Sequence, residues 1–257
     1  MKEAKRLDTW LVEAGLTESR ERARALILSG KVAVGGRRVE KPGARVGPGD
    51  GVVVVGSDHP YVSRGGLKLE KALEHFGIEV HGKVALDVGA STGGFTHCLL
   101  MRGAAKVYAV DVGYGQFAWV LRNDPRVVLL ERTNIRHLRR DAIQDVVVLA
   151  AIDVSFISLK KVLPVVYDLV APGAGVLALV KPQFEVGKGK VGKGGVVRNG
   201  RLHAEVMGDI QSFCLAAGWD VLGSMESPIR GAKGNREFFL YVTKPAEPSP
   251  RQRGERS

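Results

Sequence analysis

Apolar residues recur at two different spacings along this chain, and the change of spacing divides it. Between residues 7 and 27 they fall on helical faces, with Leu7, Trp10, Leu11 and Ala14 on one and Ala23, Leu26 and Ile27 on the next. Gly15 suits the C-terminal cap of the first helix. Thr17 suits the N-cap of the second, with Glu18 in its first turn, and Gly30 ends it. Residues 31–39 then predict a hairpin, because Gly35-Gly36 supplies the positive φ angles of its turn, and residues 52–55 close a short sheet. Beyond Pro60 the pattern becomes one of short continuous apolar runs. Residues 84–86, 107–111, 127–131, 146–153 and 175–181 each predict a buried strand, and 220–226 and 238–242 the last two. Helical stretches are expected at 158–169 and 202–217, and around Phe95, Leu99, Leu100 and Met101. This alternation predicts an α/β protein with a mostly parallel, doubly wound sheet of about seven strands behind a small N-terminal α+β module. The boundaries expected are 1–59 for the small module and 60–244 for the larger one. Residues 187–200, rich in glycine and lysine, are expected to form a mobile loop beside the cleft, and 245–257, with nothing to bury, a disordered tail.

Charge changes the picture. The 257 residues carry a formal net charge of +11, with 45% hydrophobic and 6% aromatic residues, so an ordinary aliphatic core sits under a basic surface suited to a polyanion. In the small module the outward positions are Arg20, Arg24, Lys31, Arg37 and Arg38. Arg20 and Arg24 lie one turn apart, either facing one phosphate backbone or forming a solvated face with Glu18 and Glu21. Two cysteines, Cys98 and Cys214, exclude a disulfide framework or a four-ligand zinc site, and the histidines show no ligand spacing, so no metal is expected. The start of the chain is charged, with no apolar core after it, and no apolar run reaches membrane-span length; a soluble, cytoplasmic protein is expected.

The stretch Asp87-Val88-Gly89-Ala90-Ser91-Thr92-Gly93-Gly94-Phe95-Thr96 follows a strand and opens a helix, the usual cradle for an adenosine-bearing cofactor. No lysine follows Gly94, which excludes a P-loop, and the glycine spacing departs from the dinucleotide fingerprint. Asp87 at the head of the turn suits a cationic ligand such as S-adenosyl-L-methionine. Asp111, at the end of the next strand, stands where a carboxylate accepts from two ribose hydroxyls. Lys68, Asp153, Lys181 and Glu237 are polar residues beside apolar runs. Asp153 and Lys181 end parallel strands and therefore converge near the turn, whereas the pattern does not place Lys68 or Glu237.

Residues 5–56, with Arg6-Leu7-Asp8, Ser19-Arg20, Gly30, Val32 to Val34 and Gly36-Arg37-Arg38-Val39, resemble the S4 RNA-binding domain. The order Lys68, Asp153, Lys181, Glu237 resembles the Lys-Asp-Lys-Glu set of FtsJ-class ribose 2′-O-methyltransferases. Tyr61-Val62-Ser63-Arg64-Gly65-Gly66-Leu67-Lys68, Asp111-Val112-Gly113-Tyr114, Arg132-Thr133-Asn134-Ile135-Arg136, Asp153-Val154-Ser155-Phe156 and Lys181-Pro182-Gln183-Phe184 resemble the TlyA family over nearly the whole chain. That resemblance implies a Rossmann-like methyltransferase sheet, S-adenosyl-L-methionine as cofactor, and ribosomal RNA or ribosomal subunits as partner, methylated on cytidine 2′-hydroxyls. It implies that Asp87, Gly89, Ala90, Ser91, Thr92, Gly93, Gly94, Phe95, Asp111, Val112 and Asn134 hold the cofactor. Arg6, Arg20, Arg24, Lys31, Arg37, Arg38, Arg64, Arg132, Arg136 and Phe156 would meet RNA. Phe156 would stack on the target base or pack in the core, and Arg132, Arg136, Arg139 and Arg140 would extend the RNA track or solvate a helix. Lys181 would act as base or hydroxyl-orienting group, Lys68 and Glu237 would hold the ribose, and Asp153 would offset local positive charge. A non-catalytic RNA-binding factor and a membrane-lytic protein are the rival classes.

Overall fold

The computed structural model describes residues 4–17, 19–47, 49–54, 59–187, 189, 191–192 and 194–246. Val55, Glu18 and the tail beyond residue 246, all part of the expectations above, lie outside them. In the N-terminal part, β1 (Lys5–Arg6) leads into α1 (Leu7–Glu13) and α2 (Arg20–Leu28). A three-stranded antiparallel sheet follows, with β2 (Val32–Val34) between β3 (Arg37–Arg38) and β5 (Val52–Val54), while β4 (Arg45–Val46) pairs with β1. Leu7, Leu11, Ala23, Ile27, Val32 and Val46 form its buried core, which is the helical stripe read from the sequence closed against the sheet. The N-cap of α2 is Ser19, whose Oγ accepts from the Arg22 N–H at 3.2 Å, and not Thr17, whose hydroxyl donates to the Ser19 carbonyl instead.

The larger part opens with α3 (Gly65–His75), then β6 (Val84–Val88), α4 (Gly94–Met101), β7 (Lys106–Val110), α5 (Trp119–Arg122), β8 (Val127–Leu130) and β9 (Val147–Ile152). It continues through α6 (Leu163–Leu169), β10 (Val170–Val180), α7 (Pro182–Glu185), α8 (Gly200–Ala216), β11 (Asp220–Glu226) and β12 (Phe238–Thr243). These strands make one seven-stranded sheet in the order β11-β12-β10-β9-β6-β7-β8, with β12 antiparallel to both neighbours and the rest parallel. Apolar clusters cover both faces: one holds Leu86, Ile152, Val166 and Ile210, the other Leu69, Leu99, Leu177 and Phe239. Near-continuous apolar strands are what a sheet buried on both faces requires. Truncating a fully buried side chain such as Leu99 to alanine costs about 2–5 kcal/mol.

Strand order reverses between β6 and β9, so the crevice at their carboxyl ends is the topological switch point where open α/β sheets bind ligands. Two expectations need correction. β10 begins at Val170, earlier than expected, running through Pro172-Gly173 with a register shift between Val170 and Gly175 that absorbs the turn-forming pair. Residues 194–200 are not a free loop: Asn235, buried, accepts from the Val197 N–H at 3.1 Å and donates to the Gly195 carbonyl at 3.0 Å.

Candidate active site

The glycine turn crosses the switch point. Gly89 (φ +89°) approaches so close that a Cβ there would lie 2.5 Å from the Asp153 carbonyl oxygen, so only glycine lets the turn cross the end of β9. The Gly89 and Ala90 N–H groups donate to the Val110 carbonyl at 2.9 and 3.1 Å. Ser91 (φ +49°) donates its N–H to Asp111 Oδ2 at 2.8 Å, tying the turn to the end of β7. Asp111 also accepts from the Gly113 N–H at 2.6 Å and from Gln116 Nε2 at 3.1 Å, which fixes the carboxylate at the edge of the turn. Gly93 (φ +94°) is needed for a different reason from ligand approach. A Cβ there would meet Leu121 at 2.5 Å and Phe117 at 2.9 Å, so a larger residue displaces the turn from its own core.

Asp87 sits at the base of the turn, fully buried. Its Oδ2 accepts from Thr96 N–H at 2.9 Å and Thr96 Oγ1 at 2.6 Å, while Oδ1 is buried with no donor. Burial raises the carboxyl to about 7, with the negative fields of Asp153 and Asp111 adding to it against the Thr96 hydrogen bonds. A cleft of about 380 Å³ lies against the turn, lined among others by Ser63, Lys68, Gly89, Ser91, Phe95 and Asp153, with Asp87 buried behind this lining. An unsatisfied buried acceptor, a glycine turn at a switch point and a fixed strand-end carboxylate suit a cationic, ribose-bearing cofactor. Because the raised pKa favours the neutral acid, ligand-free protein loses stability as pH rises from about 4 through about 7. A cation bound against Asp87 would reverse this preference. Cofactor affinity is therefore expected to climb with pH up to about 7 and then level off, with release of a proton near pH 6.5. Calorimetry in two buffers of different ionisation enthalpy checks this; Asp87→Asn should remove the proton release.

The four polar residues form two ion pairs at this cleft. Lys68 Nζ, on α3, lies 2.6 Å from Glu237 Oε2, which is 3% exposed at the start of β12. Lys181 Nζ, just past β10, lies 2.5 Å from Asp153 Oδ1 and donates to Ser155 Oγ at 2.9 Å. Lys68 and Asp153 both line the cleft, so α3 and the hairpin partner β12 bring in what strand ends alone do not. Close helix contact makes this possible: a Cβ on Gly94 would lie 2.2 Å from Ser63 Oγ, and one on Gly66 2.2 Å from the Tyr61 ring. Sequence reasoning missed Ser155, which holds Lys181, and Arg230 and Gly231 of this cleft. At Gly231 a Cβ would collide with Glu237 Oε1 at 1.8 Å. It also missed Gly15, whose α1–α2 turn rests on Thr92 of the glycine turn and borders the cleft.

Other expected residues are scattered. Asn134 is turned to another use, its Oδ1 accepting from the Arg136 N–H at 3.1 Å to cap a short turn. Val112 is exposed beyond Asp111. Phe156, three residues after Asp153, is 90% exposed with φ +63° and packs on Phe184 with ring centroids 4.9 Å apart and the rings tilted by 49°; core packing is excluded. Arg64 lines the cleft, and Arg132 (φ +54°) stacks on Tyr114 at 4.1 Å. Arg139 is paired to Asp141, and Arg140 donates to the Ile143 and Asp145 carbonyls, so both serve local structure. In the small part, Arg24, Lys31, Arg37 and Arg38 are exposed. Arg6 and Arg20 instead converge on buried Asp8, at 3.0 Å for two Arg6 nitrogens and 3.2 Å for Arg20 Nε. The hydrogen bonds from Arg6, helped by Arg20, hold the Asp8 carboxyl at about 2 against its burial.

Sheet order, glycine turn and paired lysines together define a methyltransferase of the FtsJ-like kind, and the FtsJ-like methyltransferase family model matches residues 61–244. The S4 domain model matches residues 5–52. The chain belongs to the TlyA/hemolysin family, in which these two modules are joined. It is 50% identical to the 16S/23S rRNA (cytidine-2′-O)-methyltransferase TlyA of Mycobacterium tuberculosis, over 92% of this chain and 89% of that one. It is 42% identical to hemolysin A of Brachyspira hyodysenteriae, over 92% of this chain and 98% of that one. A solved structure from Streptococcus thermophilus, provisionally described as a hemolysin, superposes with a TM-score of 0.80 at 41% identity, covering 96% of this chain and 91% of that one. As a member of this family the chain takes S-adenosyl-L-methionine as methyl donor. Among the described residues no helix is long and apolar enough to cross a membrane, and no group of histidine, cysteine and acidic residues is placed to hold a metal.

Proposed function

We propose that this chain methylates the ribose 2′-hydroxyl of cytidine in ribosomal RNA, working in the cytoplasm on ribosomal subunits or their RNA. The observation that carries the reading is the pair of ion pairs, Lys68–Glu237 and Lys181–Asp153, each of which puts one member, Lys68 or Asp153, on the wall of one cleft beside the glycine turn. When bound, S-adenosyl-L-methionine supplies a methyl group already activated by a sulfonium. The protein's work is to align a poor nucleophile and take its proton. Lys181, held by Asp153 and Ser155, orients the hydroxyl as an ammonium or, having first given up a proton, receives the hydroxyl proton as the neutral amine. Lys68, held by Glu237, steadies the ribose. Asp111 accepts from the cofactor's ribose hydroxyls, with Val112 and residues 89–95 shaping its surroundings. Phe156, exposed at a strained φ beside Asp153, stacks on the target base. The same proposal divides the chain at residues 59 and 60, with Arg6, Arg20, Arg24, Lys31, Arg37 and Arg38 of the first part capturing RNA. Arg64, Arg132 and Arg136 continue that track toward the cleft. Mapping 2′-O-methylation on ribosomal RNA from a deletion strain and its parent tests the reading. At least one cytidine should lose its ribose methyl and regain it on complementation; identical methylation maps would refute it.

A further inference from the structure

Beside the active cleft lies a second concavity of about 340 Å³ with an unusual wall: Arg198, Arg230, Lys233 and Arg236 all border it. Only Arg236 is neutralised, by Glu226 at 2.8 and 2.5 Å. Arg198, Arg230 and Lys233 have no ion-pair partner among the described residues, so the cavity keeps an excess of three positive charges. Its floor is His203, which is 4% exposed. One ring nitrogen, Nε2, meets the Val197 carbonyl at 2.9 Å, and the other, Nδ1, is buried with no partner.

The wall is built, not a chance meeting of surface side chains. Buried Asn235 ties the 195–197 segment to the 230–236 turn through its amide, and the Gly231 N–H donates to the Asn235 carbonyl at 2.8 Å. Lys233 is held at φ +58°, a left-handed backbone conformation that a lysine rarely adopts. The turn also presses Gly231 against Glu237, and Arg230 borders both this cavity and the cleft that holds Lys68 and Asp153.

We infer that this cavity is a backbone-phosphate site for the RNA strand, holding a nucleotide that neighbours the one being methylated. The inference rests on the RNA methyltransferase reading and adds a subsite to it. Converging guanidinium and ammonium groups select phosphate oxygens, which take bidentate contacts from arginine and a point charge from lysine. Arg230, shared by cavity and cleft, sets the path of the strand between them. Such a contact carries no sequence information; it fixes register, so that the correct ribose arrives at Lys181.

The test uses full-length protein with Arg198→Gln and Lys233→Gln combined, leaving Arg230 untouched because it borders the cleft. Binding of ribosomal RNA is measured across a salt series, methyl transfer across RNA concentrations, and S-adenosyl-L-methionine affinity separately. Loss of two phosphate contacts should flatten the slope of log K against log salt by about 1.4–1.8 and raise KM for RNA, with kcat and cofactor affinity unchanged. The charge-keeping pair Arg198→Lys and Lys233→Arg should retain the wild-type slope. An unchanged slope and KM in the glutamine variant would overturn the inference. So would an equal defect in both variants, since shape and not charge would then be responsible. A raised KM on whole subunits with no change on naked RNA would also overturn it, and would assign the cavity to an acidic protein. Failure of the wild type itself to bind or methylate RNA would instead overturn the parent reading.

Discussion

Replacing Lys181 with alanine should lower methyl transfer by about 10²–10⁴-fold while leaving S-adenosyl-L-methionine affinity and the melting temperature near wild type. The ammonium sits 2.5 Å from Asp153 and 2.9 Å from Ser155 Oγ, at 10% side-chain exposure, so its position is determined before substrate arrives. Removing it takes away the group that meets the hydroxyl proton but none of the groups that line the glycine turn. Lys181→Arg separates its two possible duties. Arginine keeps the charge and the pairing with Asp153 yet stays protonated at any working pH. Recovery of most activity by arginine would make the residue an orienting cation, and no recovery would make it the proton acceptor. Near-normal turnover by the alanine variant, measured at saturating RNA, would remove Lys181 from the mechanism.

Much of this arrangement is legible in the sequence because periodicity and strand ends are local signals. The strands around Leu86, Ile152 and Phe239 show up as apolar runs, and Asp153 and Lys181 mark carboxyl ends of parallel strands, which topology gathers at one edge. What stays hidden depends on contacts distant in sequence. The helix Gly65–His75 begins with two glycines, which by propensity favour a turn. It forms because those glycines admit the Tyr61 ring and the start of α4 at contact distance. That helix brings Lys68 to Glu237 across a sequence gap of 169 residues. Asn235 likewise pins Val197, 38 residues away, which no local pattern reveals in a glycine- and lysine-rich stretch. Charge counting fails in the same way. Arg139 and Arg140 look equivalent to Arg132 and Arg136 in sequence, yet the first two are consumed by Asp141 and by backbone carbonyls.

The small module offers a second large effect, and one on which two physical pictures disagree in sign. Replacing Arg24, Lys31, Arg37 and Arg38 together by glutamine should flatten the salt dependence of RNA binding by about 3 in slope, since each phosphate contact contributes about 0.7–0.9. These four are exposed and have no ion-pair partner among the described residues, so the change should leave the fold intact. Asp8 is the sharper probe. Its buried carboxylate holds Arg6 through two hydrogen bonds and Arg20 through a third, leaving their remaining N–H groups pointed by that clamp. With a carboxyl pKa of about 2, lowered from the unfolded value, the clamp's contribution to stability is present above about pH 4 and lost only as pH falls toward 2. It is thus constant across physiological pH. Asp8→Asn raises the module's net charge by one, so charge alone expects tighter RNA binding. Orientation expects the opposite, because two arginines lose their shared anchor and must be ordered by the RNA itself. We expect affinity to fall about tenfold, equivalent to about 1.4 kcal/mol, at constant salt. Tighter binding by the asparagine variant, with an unchanged melting curve, would show that the arginines act as diffuse charge and that the Asp8 clamp serves folding alone.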